Sequence, residues 1–165
     1  MKVAIFFGSK SDSEVMKKSA DILSEFGVEY KAFIISAHRA GALLHETVKK
    51  VEREGFEVII AGAGLAAALP GVIAGITTLP VIGVPLECVT PGKSNGLGGM
   101  DALLSIVQMP PQIPVATVGI NSSKNAAYLA VQILAIKYPI LREKLIDFRK
   151  KLAEEAAKCG LEVSL

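Results

Sequence analysis

Apolar positions follow two periods along this chain, and the alternation between them predicts the elements. Val3 to Phe7 is a short unbroken apolar run and reads as strand one, Lys2 to Phe7. A polar loop follows, and then Val15, Met16, Ala20, Leu23 and Phe26 recur at helical spacing. Ser11-x-x-Glu14 fits a capping box opening that helix, and Gly27 stands where a C′ glycine is expected. Val28 to Ile35 reads as strand two, with Ala32-Phe33-Ile34-Ile35 as its buried end. A helix over about Ala42 to Glu54 turns Leu44, Val48 and Val51 inward, with Gly55 past its end. Val58 to Ala61 and Pro80 to Pro85 read as strands three and four. Residues 88 to 99 hold four glycines, a proline and an asparagine, which predicts a mobile loop. A short helix over about Met100 to Gln108, strand five over Val115 to Ile120 and a helix over Asn125 to Ile136 follow. Pro139 opens a last helix with Leu141, Leu145, Phe148, Leu152 and Ala156 on one stripe, ended by Gly160.

Strands alternating with helices predict an α/β protein whose parallel sheet is covered on both faces. Right-handed crossovers then place every strand's C-terminal end on one edge. The 165 residues suit a single domain, 1–165, with a full core. Val58 to Leu86 carries no charge and is long enough to span a bilayer. Its prolines (Pro70, Pro80, Pro85) and glycines instead predict strand, turn, buried helix and strand. The helix within it, about Ala66 to Ile76, has no polar face, so it is expected to lie buried on all sides inside a homo-oligomer.

Charge changes little in this picture. Eighteen basic and sixteen acidic residues give a formal net charge of +2, with no basic run to suit nucleic acid. Cys88 and Cys159 have no metal-type spacing and no evident disulfide framework, which suits a reducing cytoplasm. The apolar start is cut by Gly8-Ser9-Lys10-Ser11-Asp12, too soon for a signal-peptide core.

The candidate chemistry lies just past the strand ends. After strand one, Gly8 permits a sharp turn, Ser9 and Ser11 offer hydroxyls, and the helix start offers free N–H groups to an anion. Asp12 is either a first-turn acid or a carboxylate accepting ribose hydroxyl or amine protons. After strand two comes Ser36-Ala37-His38-Arg39. Arg39 suits a phosphate, and His38 is one of two histidines in the chain. The other, His45, falls inside a helix and reads as a solvated residue. After strand three, Gly62-Ala63-Gly64 permits close approach of a ligand or serves tight helix–strand packing. These groups describe proton transfer on a phosphorylated small molecule, with no metal set, no cofactor motif and no obvious nucleophile.

These motifs, with Leu69-Pro70-Gly71, Ser105-Ile106-Val107-Gln108-Met109-Pro110, Pro114-Val115-Ala116-Thr117 and Asn125-Ala126-Ala127, resemble the PurE family of purine biosynthesis over nearly the whole chain. The resemblance implies a three-layer flavodoxin-like fold with a central parallel sheet of about five strands, a C-terminal helix and a homo-octamer. It implies isomerisation of N5-carboxyaminoimidazole ribonucleotide (N5-CAIR) to 4-carboxy-5-aminoimidazole ribonucleotide (CAIR), with CO2 as a trapped intermediate and His38 as the proton shuttle. Ser9, Asp12 and Arg39 match substrate-binding positions, and Ser11, Ser36 and the Gly62 to Gly64 backbone would line the pocket. The chain departs from the family pattern at Ala40-Gly41, which replaces Thr-Pro, at Leu65, which replaces a common glycine, and at Ala68, which replaces a second histidine. Ser105 to Pro110 favours the mutase branch; direct carboxylation of aminoimidazole ribonucleotide (AIR) and a non-catalytic PurE-like binding subunit are the alternatives.

Overall fold

The structure is a computed structural model that describes residues 1–90 and 93–160. Pro91 and Gly92 of the expected loop, and 161–165 of the expected domain, lie outside the described residues. The elements in chain order are β1 (Lys2–Phe7), α1 (Ser13–Glu25), β2 (Glu29–Ile34), α2 (Gly41–Arg53), β3 (Val58–Gly64), α3 (Leu69–Ala74) and β4 (Val81–Leu86). They continue with β5 (Cys88–Thr90), β6 (Lys93–Asn95), α4 (Met100–Val107), β7 (Ala116–Thr117), α5 (Ser123–Ala135) and α6 (Pro139–Cys159). β2-β1-β3-β4-β7 form one five-stranded parallel sheet in flavodoxin-like order.

The pleat sorts the core into two layers. Val3, Ile5 and Phe7 of β1 and Val58 and Ile60 of β3 face Met16, Ala20 and Leu23 of α1 and Ala127, Ala130, Val131 and Leu134 of α5. Ala4 and Phe6 of β1 and Ile59, Ala61 and Ala63 of β3 face Leu44, Val48 and Val51 of α2, Ile73 of α3 and Ile106 of α4. Helices therefore cover both faces, as a parallel sheet requires. Phe26, Tyr128 and Phe148 bring α1, α5 and α6 together, with ring centroids 5.0–6.0 Å apart. Two glycines let helices approach the sheet closely. A Cβ on Gly62 would lie 2.4 Å from Met16 Sδ, and one on Gly83 would lie 2.5 Å from Ile106 Cγ2.

Several expectations are corrected. The helix after β1 is not opened by Ser11 and Glu14. Ser9 and Asp12 form the capping box, around a 3₁₀ turn over Lys10–Asp12 that leads into α1. Strand two is not buried: it is the sheet edge, and Ile34 is 47% exposed, although Phe33 stacks on Phe6 with centroids 4.9 Å apart. Strand five is only Ala116–Thr117, paired with Ile82 and Gly83. The expected loop at 88–99 contains an antiparallel hairpin, with Cys88 opposite Asn95 and Val89 opposite Ser94. Its strands are too short for hydrophobic periodicity to register.

The buried helix expected over 66–76 is shorter, because Leu65 and Ala67 hold φ of 54° and 39° and break the helical path. Within one subunit Ile73 is fully buried and Val72 is 40% exposed. The stripe of α6 leaves the core along its length: Leu141 is buried, Leu145 and Phe148 are half-buried, and Leu152 is exposed. No described helix is long and apolar enough to cross a membrane.

Gly83 tests the packing away from the candidate chemistry. Gly83→Ala is expected to cost about 1–3 kcal/mol by overpacking against Ile106 and Val115. Denaturant unfolding should show a lower midpoint at an unchanged slope.

Candidate active site

Strand order reverses between β1 and β3, since β2 lies to one side of β1 and β3, β4 and β7 to the other. The loops leaving β1 and β3 therefore part there, and the gap between them is where a ligand is held in such sheets. A cleft of about 280 Å³ occupies this place. Gly8, Ser9, Ser11 and Asp12 line it after β1, and Ser36, Ala37, His38 and Arg39 after β2. Ala63, Gly64, Leu65, Ala67, Ala68 and Leu69 supply the opposite wall, and Cys88 closes it after β4. One wall is thus polar and the other apolar.

The polar wall is wired to itself. Asp12 Oδ2 accepts the Ser9 N–H at 3.0 Å, and Asp12 Oδ1 accepts the Ser11 hydroxyl at 3.3 Å. Ser9 Oγ accepts from the Ser11 hydroxyl at 3.0 Å and the Ser11 N–H at 3.4 Å. Burial pushes the Asp12 carboxyl up; the Ser9 amide, the Ser11 hydroxyl and the Gly8 backbone pull it down, and burial wins. Gly8 does not have a left-handed backbone, and an added Cβ there would meet nothing within 4 Å. The chain does bend there, as expected, without a left-handed backbone, and the glycine also leaves space in the cleft.

The Ser36–Arg39 turn is held at its base. The Ala40 N–H donates to the Ser36 carbonyl at 2.9 Å, and Arg39 Nε donates to Ser36 Oγ at 3.3 Å. That bond leaves the two terminal guanidinium nitrogens for a bidentate anion. The His38 side chain is exposed at the cleft, and among the described residues its ring has no hydrogen-bond partner.

The apolar wall has an unusual backbone. Leu65 and Ala67 both lie in the left-handed region, at about 1–3 kcal/mol each for a residue with a Cβ. The Ser105 hydroxyl donates to the carbonyl of Ala66 between them, so α4 pins the loop. A Cβ on Gly64 would lie 3.0 Å from the Leu86 carbonyl oxygen, and Gly62 meets Met16. Gly62 therefore serves tight packing, while Gly64, close-packed against β4, also lines the cleft.

The candidate residues Ser9, Ser11, Asp12, Ser36, His38, Arg39 and Gly64 meet in this cleft. Gly62, expected to line the pocket, does not, and neither does Lys10; among the described residues Arg39 is the Lys or Arg side chain at the cleft. His45 is exposed on α2, as its helical position predicted. Leu65, Ala67, Leu69 and Cys88 are lining residues that sequence reasoning passed over. Cys88 carried a usable signal, since it follows the apolar run of β4 and so sits at a strand's C-terminal end.

Fold and cleft together define a flavodoxin-like α/β protein with an anion-suited, histidine-bearing cleft at the point where strand order reverses. A family model described as AIR carboxylase matches residues 2–155. The chain is 56% identical over 151 residues to the N5-carboxyaminoimidazole ribonucleotide mutase of Pyrococcus abyssi, covering 92% of this chain and 83% of that one. It is 48% identical over 161 residues to the mutase of Saccharolobus solfataricus, covering 98% of each. The crystal structure of Treponema denticola PurE superposes with a TM-score of 0.83 at 27% identity, covering 95% of this chain and 94% of that one. The chain belongs to the AIR carboxylase family.

Asp12 gives a test of the polar wall. A folded-state pKa raised by burial means that stability falls as pH rises from the ordinary carboxylate value through the raised one, and the cost is complete above it. Asp12→Asn keeps an acceptor for the Ser9 N–H and removes the buried charge. It is expected to be at least as stable as the parent at neutral pH, the difference narrowing as pH falls and Asp12 is protonated. Chemical unfolding across pH reads this; a loss above about 1 kcal/mol at neutral pH would mean that the charged cap outweighs burial.

Proposed function

We propose that this chain is an N5-CAIR mutase, converting N5-CAIR to CAIR. The observation that carries the reading is the convergence of His38, Arg39 and the Ser9–Asp12 loop on one cleft with an apolar far wall. The names of the family relatives support it. Arg39 and the Ser9–Ser11 donors hold the substrate phosphate, and Asp12 accepts from the ribose hydroxyls. Ser36 orients the Arg39 guanidinium, and the Gly64 backbone lets the substrate approach the sheet edge.

His38 donates a proton to the carbamate nitrogen as the N–C bond breaks, which releases CO2 and leaves AIR in the cleft. The enamine carbon of the aminoimidazole then attacks CO2, forming the new C–C bond. His38 removes the proton from that carbon, which restores the aromatic ring and the imidazolium. No proton is gained or lost over the cycle. Holding CO2 beside the attacking carbon is a proximity effect, worth up to roughly 7–11 kcal/mol in favourable model reactions.

A second reading is favoured by one observation: Ala68 lines the cleft where the mutase pattern carries another histidine. On that reading the chain carboxylates AIR directly with CO2. Two assays separate the readings. N5-CAIR offered without bicarbonate should turn over rapidly; turnover only of AIR with bicarbonate would move the chain to the carboxylase, and turnover of neither to a non-catalytic binding subunit. His38→Asn should bind substrate and lose roughly 10²–10⁴-fold in turnover.

The protein acts in the cytoplasm as a homo-octamer on this reading. Val72 of α3, Leu104 and Val107 of α4, and Ile136, Ile140 and Ile146 near α6 are large apolar side chains left exposed in one subunit, and assembly would cover them. Light scattering should give a mass near eight chains; a stable monomer would overturn this part.

A further inference from the structure

We infer that Leu65 is the wall residue that keeps the cleft dry and retains released CO2 until recarboxylation, an inference that rests on the mutase reading above. Its backbone holds φ of 54°, a conformation natural to glycine and unfavourable for leucine. The fold thus carries a backbone cost at this position, and what it gains there is a side chain. That side chain lines the cleft and is 44% exposed.

Its far end reaches across to the segment that returns from the β5–β6 hairpin. A Cβ on Gly96 would lie only 3.0 Å from Leu65 Cδ2. Gly96 has φ of 77°, and a Cβ there would also lie 2.1 Å from Asp101 Oδ2, so Gly96 leaves room for both neighbours. Asp101 holds this turn by accepting the Leu97 N–H at 3.3 Å. From the other side, the Ser105 hydroxyl fixes the carbonyl of Ala66, the next residue. Leu65 is therefore an apolar strut between the β3 loop and the foot of the hairpin, held at both ends by α4.

The geometry matters because the remaining apolar wall residues beside it are small: Ala63, Ala67 and Ala68. Leu65 and Leu69 are the only branched apolar side chains lining this cleft among the described residues, and Leu69 is buried whereas Leu65 is half in the opening. CO2 has no charge and forms weak hydrogen bonds, so nothing on the polar wall holds it. Retention then depends on blocking its path and excluding the water that would replace it. When CO2 escapes, the balance is N5-CAIR plus a proton giving free AIR and CO2, and CAIR is not formed.

The test measures partition rather than rate. Leu65→Gly removes the side chain and relieves the left-handed backbone. Leu65→Ala removes most of the side chain and keeps the backbone cost. Leu65→Met keeps a long apolar side chain. N5-CAIR is supplied, and released AIR and CAIR are counted above the enzyme-free background, with isotopically labelled bicarbonate present. The Gly and Ala variants should raise the AIR-to-CAIR ratio by about fivefold or more and put label into CAIR. The Met variant should stay within about twofold of the parent in ratio and labelling. The ratio is taken per N5-CAIR consumed, so a change in overall rate does not move it. Thermal unfolding should show Leu65→Gly no less stable than Leu65→Ala. An unchanged ratio and no label uptake in both truncated variants would overturn the role of Leu65 alone. Failure of the parent itself to consume N5-CAIR would overturn the mutase reading and this inference together.

Discussion

The molecule depends on one constraint: a parallel sheet buried on both faces must send its chain to opposite sides of a central strand. β1 is that strand. Its neighbours β2 and β3 are paired along its length, Phe7 opposite Ile34 on one side and Gly62 on the other. The crossover through α1 carries the chain one way and the crossovers through α2 and α3 carry it the other. The loops that leave β1 and β3 have to diverge, and the cleft is the space their divergence leaves. No residue creates that space; the topology does, and the residues decide what it holds.

What the residues contribute is a division of labour between the two walls. The β1 and β2 loops are polar and short, and their backbones are ordinary. The β3 loop is apolar, and two of its residues hold left-handed backbones that α4 and the hairpin foot keep in place. The polar groups sit where conformations are relaxed, while the apolar surface is the one under backbone strain. This matches the general placing of strain at sites that must stay pre-organised.

Long elements and strand-end chemistry were readable from the sequence because their signals repeat. Leu44, Val48 and Val51 occupy one helical face in any reading, and all are buried. His38 and Arg39 follow an apolar run, which places them at a strand end whatever the strand's neighbours are. The misreadings have local causes. Ser9-x-x-Asp12 and Ser11-x-x-Glu14 both satisfy a capping pattern, and only the backbone chooses between them. Ala32 to Ile35 are apolar because strands favour such residues, yet their place in the sheet order, which spacing does not encode, leaves Ile34 at an open edge. The hairpin at Cys88–Asn95 is too short to show a period. The left-handed backbone at Leu65 is not signalled by leucine itself; the hint lies in the glycine that the resembled family commonly carries there.

The self-wired loop at Ser9, Ser11 and Asp12 has a thermodynamic meaning of its own. Several of its donors and acceptors are already engaged with each other, and the Ser9–Asp12 pair also caps the turn that starts α1. A ligand that engages these groups exchanges partners with them instead of filling a vacancy. The net gain from each such exchange is small, so indiscriminate anions obtain little by entering. Only a molecule that matches several of the groups at once gains enough to displace the internal network. Selectivity at this wall is thus a property of the unliganded state: the loop is its own competitor, and the strength of its internal bonds sets the threshold that a ligand must pass.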